Sequence, residues 1–404
     1  MTRFVLATIF AIAPAAMAQS LAGLWDATIN ANGRDIPFRM EFSGEGQKVT
    51  GYFFNGDERV PSSSGSFENG TLIVNFDYFA TKLVASWQDG TLEGTYGGGR
   101  RAPYPFKAKR FVPPSLAQGD VPSIAGLWEI PTKSAKAGEL AWRFIVRQSG
   151  PEVSAAILRV DGDTGSIEGT YRDGKFVLSH FGGDRPMLLE VTLEKDGTLK
   201  LLQNGRTEMT AIRSADARAK GLPEPADPSR HTSVKDPTKP FHFRFPDLNG
   251  KIVSDSDARF QNKVVIVAIG GSWCPNCHDE APFLVELYQK YHSRGLEIVS
   301  LMFEDEDQLK DPVRLRAFIK KYGIEFPVLL CGQQSELSAK MPQGVDLDSW
   351  PTTFYLGRDG RVRSVHAGFA SAASGEFHTE LREEAGSLIE RLLAERVSES
   401  ASVR

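Results

Sequence analysis

Two textures of hydrophobic patterning divide the chain. Through residues 19–213, short aromatic or β-branched runs (38–42, 72–76, 144–147, 176–181) alternate with Asn-Gly, Asp-Gly and Gly-Gly turns. Short runs bounded by residues that accept positive φ predict antiparallel hairpins, and hence small β-barrels or sandwiches. Beyond residue 239 the pattern changes. Residues 263–269 are Val-rich and almost continuously apolar, 280–292 are amphipathic, and 297–303 form a second apolar run. Strand, helix, strand in that order predicts a parallel sheet.

The first texture repeats itself. Ala22-Gly23-Leu24-Trp25 returns as Ala125-Gly126-Leu127-Trp128, residues 65–70 return as 169–174, and Asp89-Gly90-Thr91-Leu92 returns as Asp196-Gly197-Thr198-Leu199. Ala108 and Arg110 find counterparts in Ala211 and Arg213. An offset held near roughly one hundred residues from end to end is the mark of a tandem duplication. The expected domains are therefore 19–113 and 122–213, with Trp25 and Trp128 filling the barrel ends as core residues. Residues 214–238, rich in Ala, Pro, Asp and Lys, show no apolar period and are read as a linker. Residues 239–397 form the α/β domain.

Composition narrows the function classes. The chain has 404 residues, 41% of them hydrophobic and 24% charged, with a net charge of -4, which is ordinary for a globular protein. The scattered Lys and Arg leave no basic footprint for nucleic acid. Residues 1–18 place Arg3 before an apolar run and end in Ala16-Met17-Ala18, the layout of a cleavable secretory signal. The run is too short for the roughly 20 residues that span a bilayer, so a periplasmic or secreted protein without a transmembrane segment is expected.

Three cysteines cannot build a disulfide framework, and two of them lie in Cys274-Pro275-Asn276-Cys277. Disulfide exchange needs two sulfurs close enough to bond, one of them exposed and ionised, and such a pair at a helix start supplies both. Cys274 is the expected attacker and Cys277 the resolving thiol. Pro275 suits the first helical position, where its missing N–H costs nothing. A zinc site wants four ligands, and only Cys331 and scattered histidines remain to complete one. Cys331 reads as a small buried hydrophobe at a strand end. His278 and Asp279 read as exposed residues of the helix start, and Glu280 follows Cys277 by three positions, where a carboxylate can exchange the resolving thiol's proton.

Residues 264–282, with Trp273 directly before the first cysteine and Pro282 within the helix, resemble the active-site segment of the thioredoxin superfamily, in particular its exported TlpA/ResA-like thiol-disulfide oxidoreductases. Trp350-Pro351-Thr352-Thr353 resembles the cis-proline segment of that family, with Trp350 in place of its usual small or β-branched residue. The resemblance implies an α/β thioredoxin-like domain, with residues 314–322 and 325–330 as the helix and strand that the subfamily inserts. It further implies catalysis by Cys274, Cys277, Glu280 and Pro351, and substrate positioning by Trp273 and Trp350. The redox-active cysteine pair would then need no organic cofactor or metal. Expected partners are protein thiols and disulfides and a membrane-linked electron donor, with a lean toward reduction. Peroxiredoxins share this fold, but their peroxide-activating Thr corresponds to Gly271. An envelope-assembly role for the β-domains, with an accessory redox domain, is the contrasting reading.

Overall fold

The computed structural model describes residues 20–98, 102–113 and 120–395. The expected signal segment lies outside them. Two nine-stranded antiparallel sheets come first, then a five-stranded mixed sheet. In the first sheet the strands run, side by side, from Glu58–Pro61 through Thr50–Asn55, Arg34–Ser43, Gly23–Ala31, Tyr104–Arg110, Thr91–Gly97, Thr81–Gln88 and Thr71–Phe76 to Ser64–Glu68. The two end strands are not paired with each other. The gap is crossed instead by Val49 N–H to the Gly65 carbonyl at 3.0 Å and Phe67 N–H to the Gly46 carbonyl at 2.7 Å.

The second sheet follows the same relative strand order and closes on itself. Glu152–Arg159 pairs with Ala141–Ser149 on one side and with Ile167–Arg172 on the other, completing a ring from which Gly162–Asp163 projects as a short extra strand. The likeness of the two sheets extends to atoms. The Trp25 indole donates to the Leu21 carbonyl and the Trp128 indole to the Ile124 carbonyl, each at 2.9 Å. Arg110 lies over Trp25 and Arg213 over Trp128, at 4.4 and 3.9 Å from the ring centroids. Both indoles are fully buried. In each sheet the buried indole thus has its N–H satisfied and a cation on its face.

The sheets are wedged together. Phe181, from the second, sits among Phe38, Phe53 and Tyr96 of the first, with centroids 4.5, 5.1 and 5.2 Å away. Residues 214–238 differ from the structureless linker expected. They hold helices Ser214–Ala219 and Pro228–His231, and strand Ser233–Val234 pairs with Gly344–Val345. Asp227 caps the second helix through the Ser229 N–H, and Pro228 opens it. Capping and a pre-set proline φ form a short helix where no apolar period announces one.

In the C-terminal domain the sheet runs Val328–Gly332, Leu296–Phe303, Val264–Gly270, Thr352–Leu356, Val362–Ala367, the first three parallel and the rest antiparallel. Every residue of Val264–Gly270 is buried, as its unbroken apolar run requires for a central strand covered on both faces. Helices Pro275–Tyr291 and Glu376–Ala394 pack on one face through Leu287, Tyr291 and Ile389. That cluster also takes in Leu158 from the second β-domain, so the interface shares a core. Among the described residues no helix is long and apolar enough to cross a membrane.

Candidate active site

The helix Pro275–Tyr291 begins at the cysteine motif itself, earlier than its amphipathic stretch suggests. Cys274 is the N-cap, and its sulfur accepts the Cys277 N–H at 3.3 Å. An N-cap normally uses an oxygen to satisfy one of the helix's orphan donors; here a sulfur does so and is placed at the positive end of the helix dipole. The Cys274 thiol also donates to the Trp350 carbonyl at 3.5 Å, and the Trp350-Pro351 peptide is cis. The sheet thus brings together Cys274 and Pro351, which lie far apart in sequence. Contrary to the exposed sulfur expected, Cys274 is only 3% accessible and Cys277 5%.

Trp273 and Trp350 meet edge to face with centroids 5.3 Å apart, and the Trp273 indole donates to the Phe303 carbonyl at 2.8 Å. A Cβ on Gly271 would fall 2.1 Å from that indole nitrogen and 2.7 Å from the same carbonyl. No threonine fits there without displacing Trp273, which removes the side chain a peroxide site of this fold would use.

Burial, and next the hydrogen bond with Cys274, push the Cys277 thiol well above its ordinary range. Glu280 is 6% accessible, and the Thr353 hydroxyl donates to its Oε1 at 2.5 Å. Burial raises its carboxyl to about 7, against the opposing pull of that hydrogen bond. Cys277 and Glu280 share the wall of a cavity of about 20 Å³. A buried thiol and a buried acid that titrates near neutrality thus face the same small space.

The raised carboxyl also ties stability to pH. Folding favours the protonated form, so Glu280's contribution is complete below about 4.5 and is lost as pH rises through about 7. The span corresponds to about 3 kcal/mol. Glu280→Gln should therefore unfold at a higher urea concentration relative to the parent at pH 8 than at pH 5. The same substitution should flatten the pH profile of thiol-disulfide exchange, because the amide keeps the shape and loses the proton. Equal pH dependence in the two proteins would return Glu280 to a packing role.

Several contributors escaped the sequence. His278 is buried rather than exposed, with its ring nitrogens 3.0 Å from the Tyr322 hydroxyl and 2.9 Å from the Ser272 carbonyl. Burial lowers its pKa to about 3, so it stays neutral, and Phe79 of the first β-domain packs on its ring at 4.8 Å. Asp279 is half-buried, and its carboxyl is raised by burial. Glu304, fully buried, accepts the Ser272 N–H at 2.7 Å and hydroxyl at 2.9 Å and pairs with Arg314 at 2.8 Å, pinning the loop before the cysteines. Nothing local in the sequence marks these residues. Cys331 is buried, with its sulfur 3.6 Å from the Leu329 carbonyl, as a small core residue. Beyond Asn276, a cavity of about 330 Å³ lies where the three units meet, lined by Glu58, Arg159, Asp279 and Lys321 among others.

Residues 235–365 match the AhpC/TSA family. The C-terminal unit is a thioredoxin-like domain. The chain is 31% identical over 121 residues to the thiol-disulfide oxidoreductase ResA of Bacillus thuringiensis subsp. konkukian, covering 30% of this chain and 63% of that protein. To ResA of Bacillus subtilis it is 32% identical over 127 residues, covering 31% and 64%. The chain thus spans somewhat less than two thirds of the length of these curated relatives. A thioredoxin-family thiol:disulfide interchange protein from Chlorobium tepidum TLS superposes with a TM-score of 0.30 and 23% identity, over 40% of this chain and 99% of that one. The family match stops well short of the two β-domains, beginning at residue 235.

Proposed function

We propose that the protein is an exported thiol-disulfide oxidoreductase acting on protein substrates through the Cys274/Cys277 couple. The observation that carries this is one sulfur at a helix N-terminus, bonded to the N–H of its partner cysteine and to the carbonyl before Pro351. A thiolate formed at Cys274 attacks one sulfur of a substrate disulfide, and the other sulfur leaves as a thiolate. Cys277, losing its proton toward Glu280, then attacks Cys274 and releases the reduced substrate. Two electrons pass from the dithiol to the substrate, and a reduced partner restores them. Trp273 and Trp350 flank the approach to Cys274, and Pro351 offers a backbone edge to an extended substrate chain.

The direction leans to reduction, with a membrane-linked donor as the regenerating partner. The cysteine couple itself carries the electrons, without organic cofactor or metal. The common strand order and the paired Trp-Arg contacts support a tandem duplication as the origin of the β-domains, bounded near residues 19–113 and 122–213. The direct test is the purified full chain, reduced and mixed with a protein disulfide under a dithiol-regenerating system. Catalysed reduction that disappears after alkylation supports the reading, and a rate equal to the regenerating system alone refutes it.

A further inference from the structure

The cysteine end of the thioredoxin-like domain is covered by another part of the same chain. Its rim consists of Pro275 and Asn276, the Trp350-Pro351 peptide, and the turn from Gly368 to Ser371; Gly368 N–H donates to the Pro351 carbonyl at 2.7 Å, joining the last two. The second β-domain sends the loop between Glu152–Arg159 and Ile167–Arg172 onto this rim. The Asn276 amide donates to the Asp161 carbonyl at 2.7 Å. Gly368 (φ +69°) approaches so closely that a Cβ there would fall 2.3 Å from the Asp161 carbonyl carbon. A Cβ on Gly162 (φ +108°) would fall 2.4 Å from Asn276 Nδ2 and 2.5 Å from the Phe369 carbonyl. Only glycines permit such a fit.

The tip is held by a carboxylate. Asp163, buried, accepts the Ser371 N–H at 2.8 Å, the Ser371 hydroxyl at 2.9 Å and the Ser374 hydroxyl at 2.5 Å. Lys136, from the same β-domain, donates to the Asp348 carbonyl at 2.8 Å and to Ser349 at 3.2 Å, just before Pro351. The base of the loop is apolar, with Leu158 in one cluster with Phe369 and Ala370. An apolar base and a polar tip differ in what release costs. Leu158 would expose apolar surface, whereas the groups at the tip exchange their bonds for water.

We propose that the Asp161-Gly162-Asp163 loop is a latch over the active-site face, hinged at Leu158 and caught by Asp163, which a protein substrate must displace. An incoming extended chain that offers its own carbonyl to Asn276 competes directly with Asp161. The latch thereby sets a threshold that favours substrates with main-chain contacts to offer over small disulfides. This rests on the reading of Cys274 as the attacking sulfur.

The test uses the full chain in a Cys277→Ser background, comparing Asp163 with Asp163→Ala. Alkylation of Cys274 by a bulky maleimide, followed by peptide mass spectrometry, should become about tenfold faster in the alanine variant. Amide exchange should quicken at residues 160–165 and 368–374 while the core of each sheet stays protected. Equal alkylation rates would overturn the latch. Should Asp163→Ala lose its native circular dichroism, the paired Ser371→Ala and Ser374→Ala substitutions open the catch from the other side, and equal rates there overturn it as well. Alkylation reads access to the sulfur rather than turnover. Absence of disulfide exchange in the proteins that retain both cysteines, with and without Asp163→Ala, would therefore refute the proposed activity while leaving the latch to be decided by the rates.

Discussion

Cys274→Ser abolishes disulfide exchange and leaves the protein folded. The sulfur caps the helix through the Cys277 N–H, and serine is among the preferred capping residues, so the substituted hydroxyl can accept the same bond. What it cannot do is form the covalent mixed disulfide. Cys277→Ser has the complementary outcome, because attack by Cys274 remains and release does not: mixed disulfides with substrate proteins accumulate and are seen on non-reducing gels. The unfolding midpoint of Cys274→Ser should lie near that of the parent, while its exchange falls to background. Exchange at the parental rate in Cys274→Ser, or no trapped species with Cys277→Ser, would reverse the assignment of roles.

The second large effect lies behind the site. Arg314→Ala should destabilise the protein by about 3 to 5 kcal/mol, the usual cost of stranding one partner of a buried ion pair. Glu304 is fully buried, and without Arg314 its carboxylate keeps only the Ser272 donors. Burial already raises Glu304, and Arg314 is the largest influence opposing it. Removing that charge favours the protonated acid still more. Stability gained through a raised carboxyl is present at low pH and lost as pH rises through the folded value, so the deficit should be smaller at pH 5 than at pH 8. Urea denaturation at the two pH values measures it. A loss below about 1 kcal/mol at pH 8 would mean that water replaces the guanidinium and that the loop before the cysteines is held by other contacts.

Cys274, Cys277 and Pro351 were legible because each belongs to a local pattern: a spacing at a helix start, or a proline ahead of a β-branched strand. Glu280 was legible by position as an acid for the resolving thiol, but its titration near 7 was not, since that comes from burial against the sheet, opposed by a hydrogen bond from Thr353, a partner 73 residues away. His278 shows the opposite case. Its place beside the motif suggested solvent, but Phe79 of the first β-domain and Tyr322 close over it.

By itself the sequence determined the hairpin texture of the first half and its recurring motifs, the apolar central strand and the cysteine helix, because these follow from periodicity, turn residues and capping over a few neighbouring positions. The tertiary structure decided how the three units meet. The end strands of the first sheet form no ladder with each other while the second sheet closes, Phe181 seats in the neighbouring core, and Asp161 reaches Asn276 across 115 positions of chain. No local pattern encodes such meetings. They arise where shapes and unpaired polar groups from distant segments complement one another, and glycines at 162 and 368 become informative only once the surface each one faces is known.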